Sequence, residues 1–168
     1  MNNLILDFYK KEYPYKEEPF DNKIIWGVIE LKILSEDRTK VVKNVFKLEW
    51  DLRVLILWGL ENKQNIFNET VPFVISDNND SIAKQIHTFY QKNDFEDEIL
   101  MDRVFEYRRS HGLRFALRGT DIPEIYIGKS GDNIEISFFE KNGEWRYYIN
   151  PLTFFECIES MRSEYVKV

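Results

Sequence analysis

The stretch Ile24-Ile25-Trp26-Gly27-Val28-Ile29-Glu30-Leu31-Lys32-Ile33-Leu34 decides the fold. Ile25, Gly27, Ile29, Leu31 and Ile33 alternate with Trp26, Val28, Glu30 and Lys32, the period-two signature of a strand with one buried face. The polar run Ser35-Glu36-Asp37-Arg38-Thr39 turns the chain, and Phe46, Leu48 and Trp50 alternate with Lys47 and Glu49 as the returning strand of a hairpin. Residues 10–23 are polar and carry Pro14 and Pro19, which predicts an irregular segment ahead of it.

C-terminal to the hairpin the period changes. Asp51 can cap a helix that is apolar nearly all round from Leu52 to Leu60, with a polar tail at Glu61 to Gln64. Asp80 and Ser81 offer caps to a second helix, in which Ile82, Ala83, Ile86, Phe89 and Tyr90 fall at helical spacing. A third is predicted over 94–111: Asp94, Glu96, Asp97 and Glu98 crowd its first turn, and Arg108, Arg109 and His111 its last, with Gly112 just beyond. Period two then returns. Leu113, Phe115 and Leu117 alternate with Arg114, Ala116 and Arg118, followed by Ile125 and Ile127, then Ile134, Ile136 and Phe138. Asn142-Gly143 is a type I′ hairpin signal leading into Trp145 to Ile149. Asn150 and Pro151 open a final helix with Leu152, Phe155, Ile158 and Met161 along one side. The expectation is one α+β domain over 1–168: a largely antiparallel sheet with an N-terminal hairpin, three central helices, a C-terminal four-stranded meander and a C-terminal helix.

The chain has 168 residues, 23 Lys plus Arg against 29 Asp plus Glu, and a net charge of −6. With 13 Phe, 9 Tyr and 4 Trp there is ample surface to bury, which excludes a disordered chain. The acidic balance argues against sequence-independent nucleic-acid binding, which depends on cations displacing counterions from phosphates. Cys157 is the single cysteine, so neither an internal disulfide nor a multi-cysteine zinc site is predicted. Its neighbours Phe154, Phe155 and Ile158 give it the reading of a small buried hydrophobe. Residues 1–7 lack a basic leader, and the longest apolar stretch, 54–60, is far short of the ~20 residues that span a bilayer. A reducing cytoplasm, without a membrane partner, is the expected setting.

Three motifs come close to known chemistry and fall short. Gly128-Lys129-Ser130 resembles the end of a phosphate-binding loop, but Pro123 stands where that loop needs its first glycine. Asp77, Asn79 and Ser81 mimic half a calcium loop, with Ile82 in place of the glycine. Asp21 and Glu30-Leu31-Lys32 resemble magnesium-nuclease elements. Nine residues of mostly extended chain, however, separate the two carboxylates by roughly 25–30 Å. No cofactor and no metal-ligand set is predicted. His87 and His111 are the only histidines, and neither lies beside a plausible nucleophile in sequence. An enzyme would need dispersed residues around His111, with Arg108 and Glu106 nearby.

Charge layout carries the most information. Residues 69–102 hold eight acids against two bases, a balance of −6, and residues 103–118 hold five arginines against Glu106 alone, a balance of +4. Complementing the helix dipole accounts for both ends of helix 94–111. It leaves Arg114 and Arg118, which a strand would place outward with Tyr126, Glu135, Arg146 and Tyr148. Arginine and tyrosine are enriched at interface hot spots. The candidate partner-binding residues are therefore Asp94, Glu96, Asp97, Glu98, Tyr107, Arg108, His111, Arg114, Arg118 and Tyr126. A nucleic-acid module using Arg103 to Arg118 with Tyr107 and Phe115 is the competing reading.

At Ile25-Trp26-Gly27-Val28-Ile29-Glu30-Leu31, at Glu106-Tyr107-Arg108-Arg109-Ser110-His111-Gly112-Leu113-Arg114-Phe115-Ala116 and at Ile134-Glu135-Ile136-Ser137, the chain resembles small bacterial proteins associated with toxin systems. It is similar in character to cytoplasmic immunity proteins of contact-dependent or polymorphic toxins. The resemblance implies a stoichiometric inhibitor of one cognate toxin domain and assigns no functional residue. Toxin domains that attack nucleic acid are cationic, so a basic nuclease is the partner that an acidic inhibitor would suit.

Overall fold

The computed structural model describes residues 1–15, 23–74, 79–92 and 96–166. Its elements are β1 (Asn2–Lys10), β2 (Trp26–Leu34), β3 (Val41–Asp51), α1 (Leu52–Asn68), α2 (Ile82–Lys92), α3 (Glu98–His111), α4 (Leu113–Ala116), β4 (Ile125–Ser130), β5 (Asn133–Glu140), β6 (Gly143–Asn150) and α5 (Pro151–Tyr165). This is an α+β protein, with six strands among the described residues and helices grouped between and after them. The chain packs as two compact units, Met1–Glu61 with Ile149–Val168, and Asn62–Tyr148.

In the first unit β1, β2 and β3 form an antiparallel meander, with Ile149 and Asn150 at the end of β6 running parallel beside Asn2 and Asn3. The expected hairpin is β2–β3, and its register pairs Ile29 with Leu48 and Leu31 with Phe46. That alternation puts Ile29, Leu31, Ile33, Leu4 and Leu6 on one buried face. Phe154, Phe155 and Ile158 of α5 are buried with them, and Gly59 of α1 leaves room for Ile158, whose Cδ1 would lie 2.3 Å from any β-carbon there. β1 is an element the sequence reading does not contain, although its Leu4, Leu6 and Phe8 alternate. Asp51 caps α1 as expected: its Oδ1 accepts from Arg53 N at 3.0 Å and from Ile25 N at 2.9 Å, tying the helix start to the strand start.

The second unit orders its strands β6-β5-β4. Its core cluster is Ile82, Ala83, Ile86, Tyr107 and Tyr126, with Phe73, Tyr90 and Phe139 packed against it. Three expectations are corrected here. Residues 113–118 are not a strand but the short helix α4 and a turn. The buried residues are Leu113, Ala116 and Leu117, at i, i+3 and i+4, whereas Phe115 is only partly covered. The C-terminal meander therefore has three strands, β4 to β6. The β5–β6 turn is not type I′, because neither Asn142 nor Gly143 has positive φ; Gly131, at the β4–β5 turn, does, with φ of 60°.

Candidate functional site

α3 is the element on which the charge layout converges. Asp97 caps it, accepting from Leu100 N at 3.0 Å, and Glu98 opens its first turn. The buried residues of α3 are Val104, Tyr107, Ser110 and His111, on one side of the helix from its middle to its end. The outward side of α3 and the two residues before it are open: Glu96, Asp97, Glu98, Asp102, Arg103 and Glu106 are exposed, and so are Ile99 at 76% and Phe105 at 47%. Ile99 and Phe105 escaped the sequence reading. The signal for them was their position off the Leu100-Val104-Tyr107-His111 stripe, which leaves both side chains largely in solvent, although the Phe105 ring meets Phe115 edge-on with centroids 5.8 Å apart. Asp94 lies outside the described residues.

Beside this face is a cleft of about 730 Å³, lined by Asn65 and Asn68 at the end of α1, Glu69, Phe73 and α3 residues including Asp102 and Glu106. Arg109, also on its wall, is held by Glu106 at 2.9 Å. The cleft is therefore acidic on balance, with Glu69 and Asp102 opposite Arg103.

The other half of the expected site is interior, and this corrects the reading of Tyr107, His111 and Tyr126 as contact residues. His111 is fully buried; its ring stacks on Tyr107 with centroids 3.8 Å apart. Nδ1 faces the Tyr107 carbonyl at 2.9 Å and Ser110 Oγ at 2.8 Å, and Nε2 faces the Asn65 carbonyl at 3.2 Å. Burial pushes the imidazole down to about 4, so at neutral pH it is uncharged and is not the dipole-complementing cation that its helix position suggested. The Tyr107 hydroxyl has no hydrogen-bond partner among the described residues, and burial drives its ionisation far above the ordinary range. Gly128 is glycine for the same packing: a β-carbon there would lie 2.8 Å from His111 Cδ2 and 2.9 Å from Tyr107 Oη. This accounts for the phosphate-loop look of Gly128-Lys129-Ser130, which lies in β4.

Arg108 is half-buried and committed. Its Nε donates to Tyr126 Oη at 3.0 Å, its Nη2 to both Glu124 carboxylate oxygens at 3.1 and 3.2 Å, and its guanidinium covers the Tyr90 ring. Tyr126 Oη donates in turn to Glu124, and burial, then that carboxylate, raises the phenol's ionisation. Arg114 is exposed on α4 and reaches Glu124 at 3.6 Å; Arg118, also exposed, covers Phe115.

Glu135 and Arg146, expected to face outward, form a scaffold in which Glu135 is fully buried and Arg146 partly so. Glu135 Oε1 accepts from Ile82 N at 2.7 Å, at the start of α2, and Oε2 accepts from Arg146 Nε at 2.6 Å. Arg146 also donates to the Asn79 carbonyl and to Ser130 Oγ, and Ser137 Oγ accepts from Ala83 N.

The remaining chemistry-bearing residues are dispersed. Cys157 is half-buried rather than fully packed. Asp21 and Asp77 lie outside the described residues. Glu30 instead faces Asp7 across β1–β2, with Lys32 Nζ 2.6 Å from Asp7 and 4.0 Å from Glu30, a cross-strand ion triplet. Among the described residues no group of three or more His, Cys, Asp or Glu side chains is placed to hold a metal, and no helix is long and apolar enough to cross a membrane. No family model, no curated protein and no solved structure matches the chain.

Proposed function

We propose that this protein is a non-catalytic binder, a cytoplasmic immunity protein that neutralises a basic toxin domain, such as a nuclease, by stoichiometric association. One observation carries the reading: the outward side of α3 and the residue before its cap expose Ile99 and Phe105 among Glu96, Glu98 and Asp102, with Arg103 as the base beside them and Glu106 bonded to Arg109. Large apolar side chains rimmed by like charges are costly in water and suit a partner of opposite sign, whose approach they would steer. The state of the arginines and of His111 favours this over the competing readings. Of the five arginines that a nucleic-acid reading would use, Arg108 and Arg109 are already paired with carboxylates and Arg114 reaches Glu124, which leaves Arg103 and Arg118 as exposed cations for phosphate. His111 is closed off from substrate between two backbone carbonyls.

The test uses the product of the adjacent reading frame as the candidate toxin. Mixed with this protein it is expected to give a one-to-one complex whose association slows steeply with salt. Glu96→Lys, Glu98→Lys and Asp102→Lys together should slow association at least tenfold and flatten the salt dependence. An on-rate that ignores both salt and these substitutions removes the acidic face from the mechanism.

A further inference from the structure

The first unit contains an open strand edge. Lys11 N donates to Trp26 O at 2.9 Å, and β1 then pairs with β2 from Lys10 back to Asn3. Alternation in an antiparallel ladder directs the backbone groups of Tyr9, Asp7 and Ile5 toward β2, and those of Lys10, Phe8, Leu6 and Leu4 to the opposite side. On that side β6 pairs only with Asn2 and Asn3, and Thr153 Oγ1 serves Leu4, accepting from its N–H at 3.1 Å and donating to its carbonyl at 3.0 Å. Beyond Leu4 no strand among the described residues covers this edge.

What lies there is a groove of about 440 Å³. Its floor is residues 5–9 of β1, and its wall is one face of α5: Glu156, Cys157, Ser160, Met161, Glu164 and Tyr165. These recur at the spacing that puts residues on a single side of a helix. Tyr165 closes one end against the Phe8 ring, with centroids 5.2 Å apart. A strand edge facing a helix across a groove is the geometry of β-strand addition, in which main-chain hydrogen bonds supply affinity and the helix wall supplies specificity. Five residues of strand correspond to ~17 Å of extended chain. The wall combines Met161 and Tyr165 with the exposed carboxylates Glu156 and Glu164; Asp7 on the floor is already held by Lys32, and Arg38 is the one base on the lining, so the groove is acidic by the two glutamates against one arginine.

We propose that this groove binds an extended segment of a partner protein as an added β-strand along β1, one whose alternating apolar and basic side chains meet Met161, Tyr165 and the two glutamates. The site is independent of α3 and does not rest on the toxin reading.

A ten-residue synthetic peptide of alternating valine and lysine is the probe, with an alternating valine–glutamate peptide and a proline-interrupted version as controls. Residue-resolved amide exchange of the free protein should show Leu6 and Phe8 exchanging faster than Asp7 and Tyr9. The valine–lysine peptide should slow Leu6 and Phe8 at least tenfold, and neither control should. Glu156→Lys with Glu164→Lys, or alkylation of Cys157, should weaken peptide binding at least tenfold. Glu98→Lys with Asp102→Lys on α3 should leave it unchanged, which separates this site from the acidic face. The proposal is overturned if Leu6 and Phe8 are already as protected as their neighbours, if the peptide fails to bind, or if it binds equally after the groove substitutions. Self-association that protects the same amides without peptide would assign the edge to a second copy of the chain and overturn it as well.

Discussion

Glu135 and Glu98 carry the same side chain, within the same unit, in opposite circumstances. Glu135 is completely buried, with one oxygen holding the first amide of α2 and the other holding Arg146. Glu98 stands in the first turn of α3, in solvent, beside an apolar side chain that is also in solvent. The contrast extends along α3: near its end Arg108 bonds Glu124 and Tyr126, and Tyr107 stacks on His111 in the interior, while Glu98, Ile99 and Asp102 near its start stand in solvent. A carboxylate within the network acts on folding, and one outside it is available to act on association.

The largest effect that would break this division is expected from Arg146→Ala. Removing the guanidinium leaves Glu135 buried without its ionic partner and releases Asn79 O and Ser130 Oγ. A loss of about 3–5 kcal/mol in denaturant unfolding is expected. A loss below 1 kcal/mol would put Glu135 in contact with water after all.

Next in size is a pH effect from His111. Its folded value of about 4 lies below the ordinary 6.5, so between those values the unfolded chain binds the proton and the native one does not. The stabilisation is complete above pH 6.5 and is lost as pH falls to 4, by up to about 3 kcal/mol. Unfolding curves at pH 7 and 4.5 should show it, and His111→Gln should remove most of the difference. Tyr107→Phe tests the same interior from the other direction. Its hydroxyl is buried without a partner, so deleting it should raise stability by about 1 kcal/mol, whereas a residue that contacts a partner would change binding instead.

What the sequence disclosed follows from which forces act locally. Caps at Asp51, Ser81, Asp97 and Asn150 were legible because each satisfies amides within three residues of itself. The β2–β3 hairpin was legible because β2 buries one face along its length and β3 answers it with half-buried Phe46, Leu48 and Trp50 alternating with exposed Lys47 and Glu49. Residues 113–118 were not: Leu113 and Leu117 fit both a strand and a helix, and only packing shows Ala116, rather than Phe115, to be inside. The role of Glu135 was equally invisible, since its two partners lie 53 and 11 residues away. For the candidate site, the acidic half of α3 could be read from the sequence, but the burial of Tyr107, His111 and Tyr126 could not. An arginine or tyrosine between strand-forming residues looks the same whether it faces solvent or Glu124.

The smallest effect on folding is expected where the largest effect on association is proposed. Glu96→Lys, Glu98→Lys and Asp102→Lys sit in solvent and leave the Asp97 cap untouched, so each should change stability by no more than about 0.5 kcal/mol. The direction is still informative. A positive charge in the first turn opposes the helix dipole, so Glu98→Lys should be slightly destabilising and should become less so as salt rises. Binding to a basic partner should respond to the same three changes by a tenfold or greater drop in association rate. If instead the triple variant loses several kcal/mol of stability, these carboxylates belong to the folding network as Glu135 does. The acidic face would then have no claim to a partner.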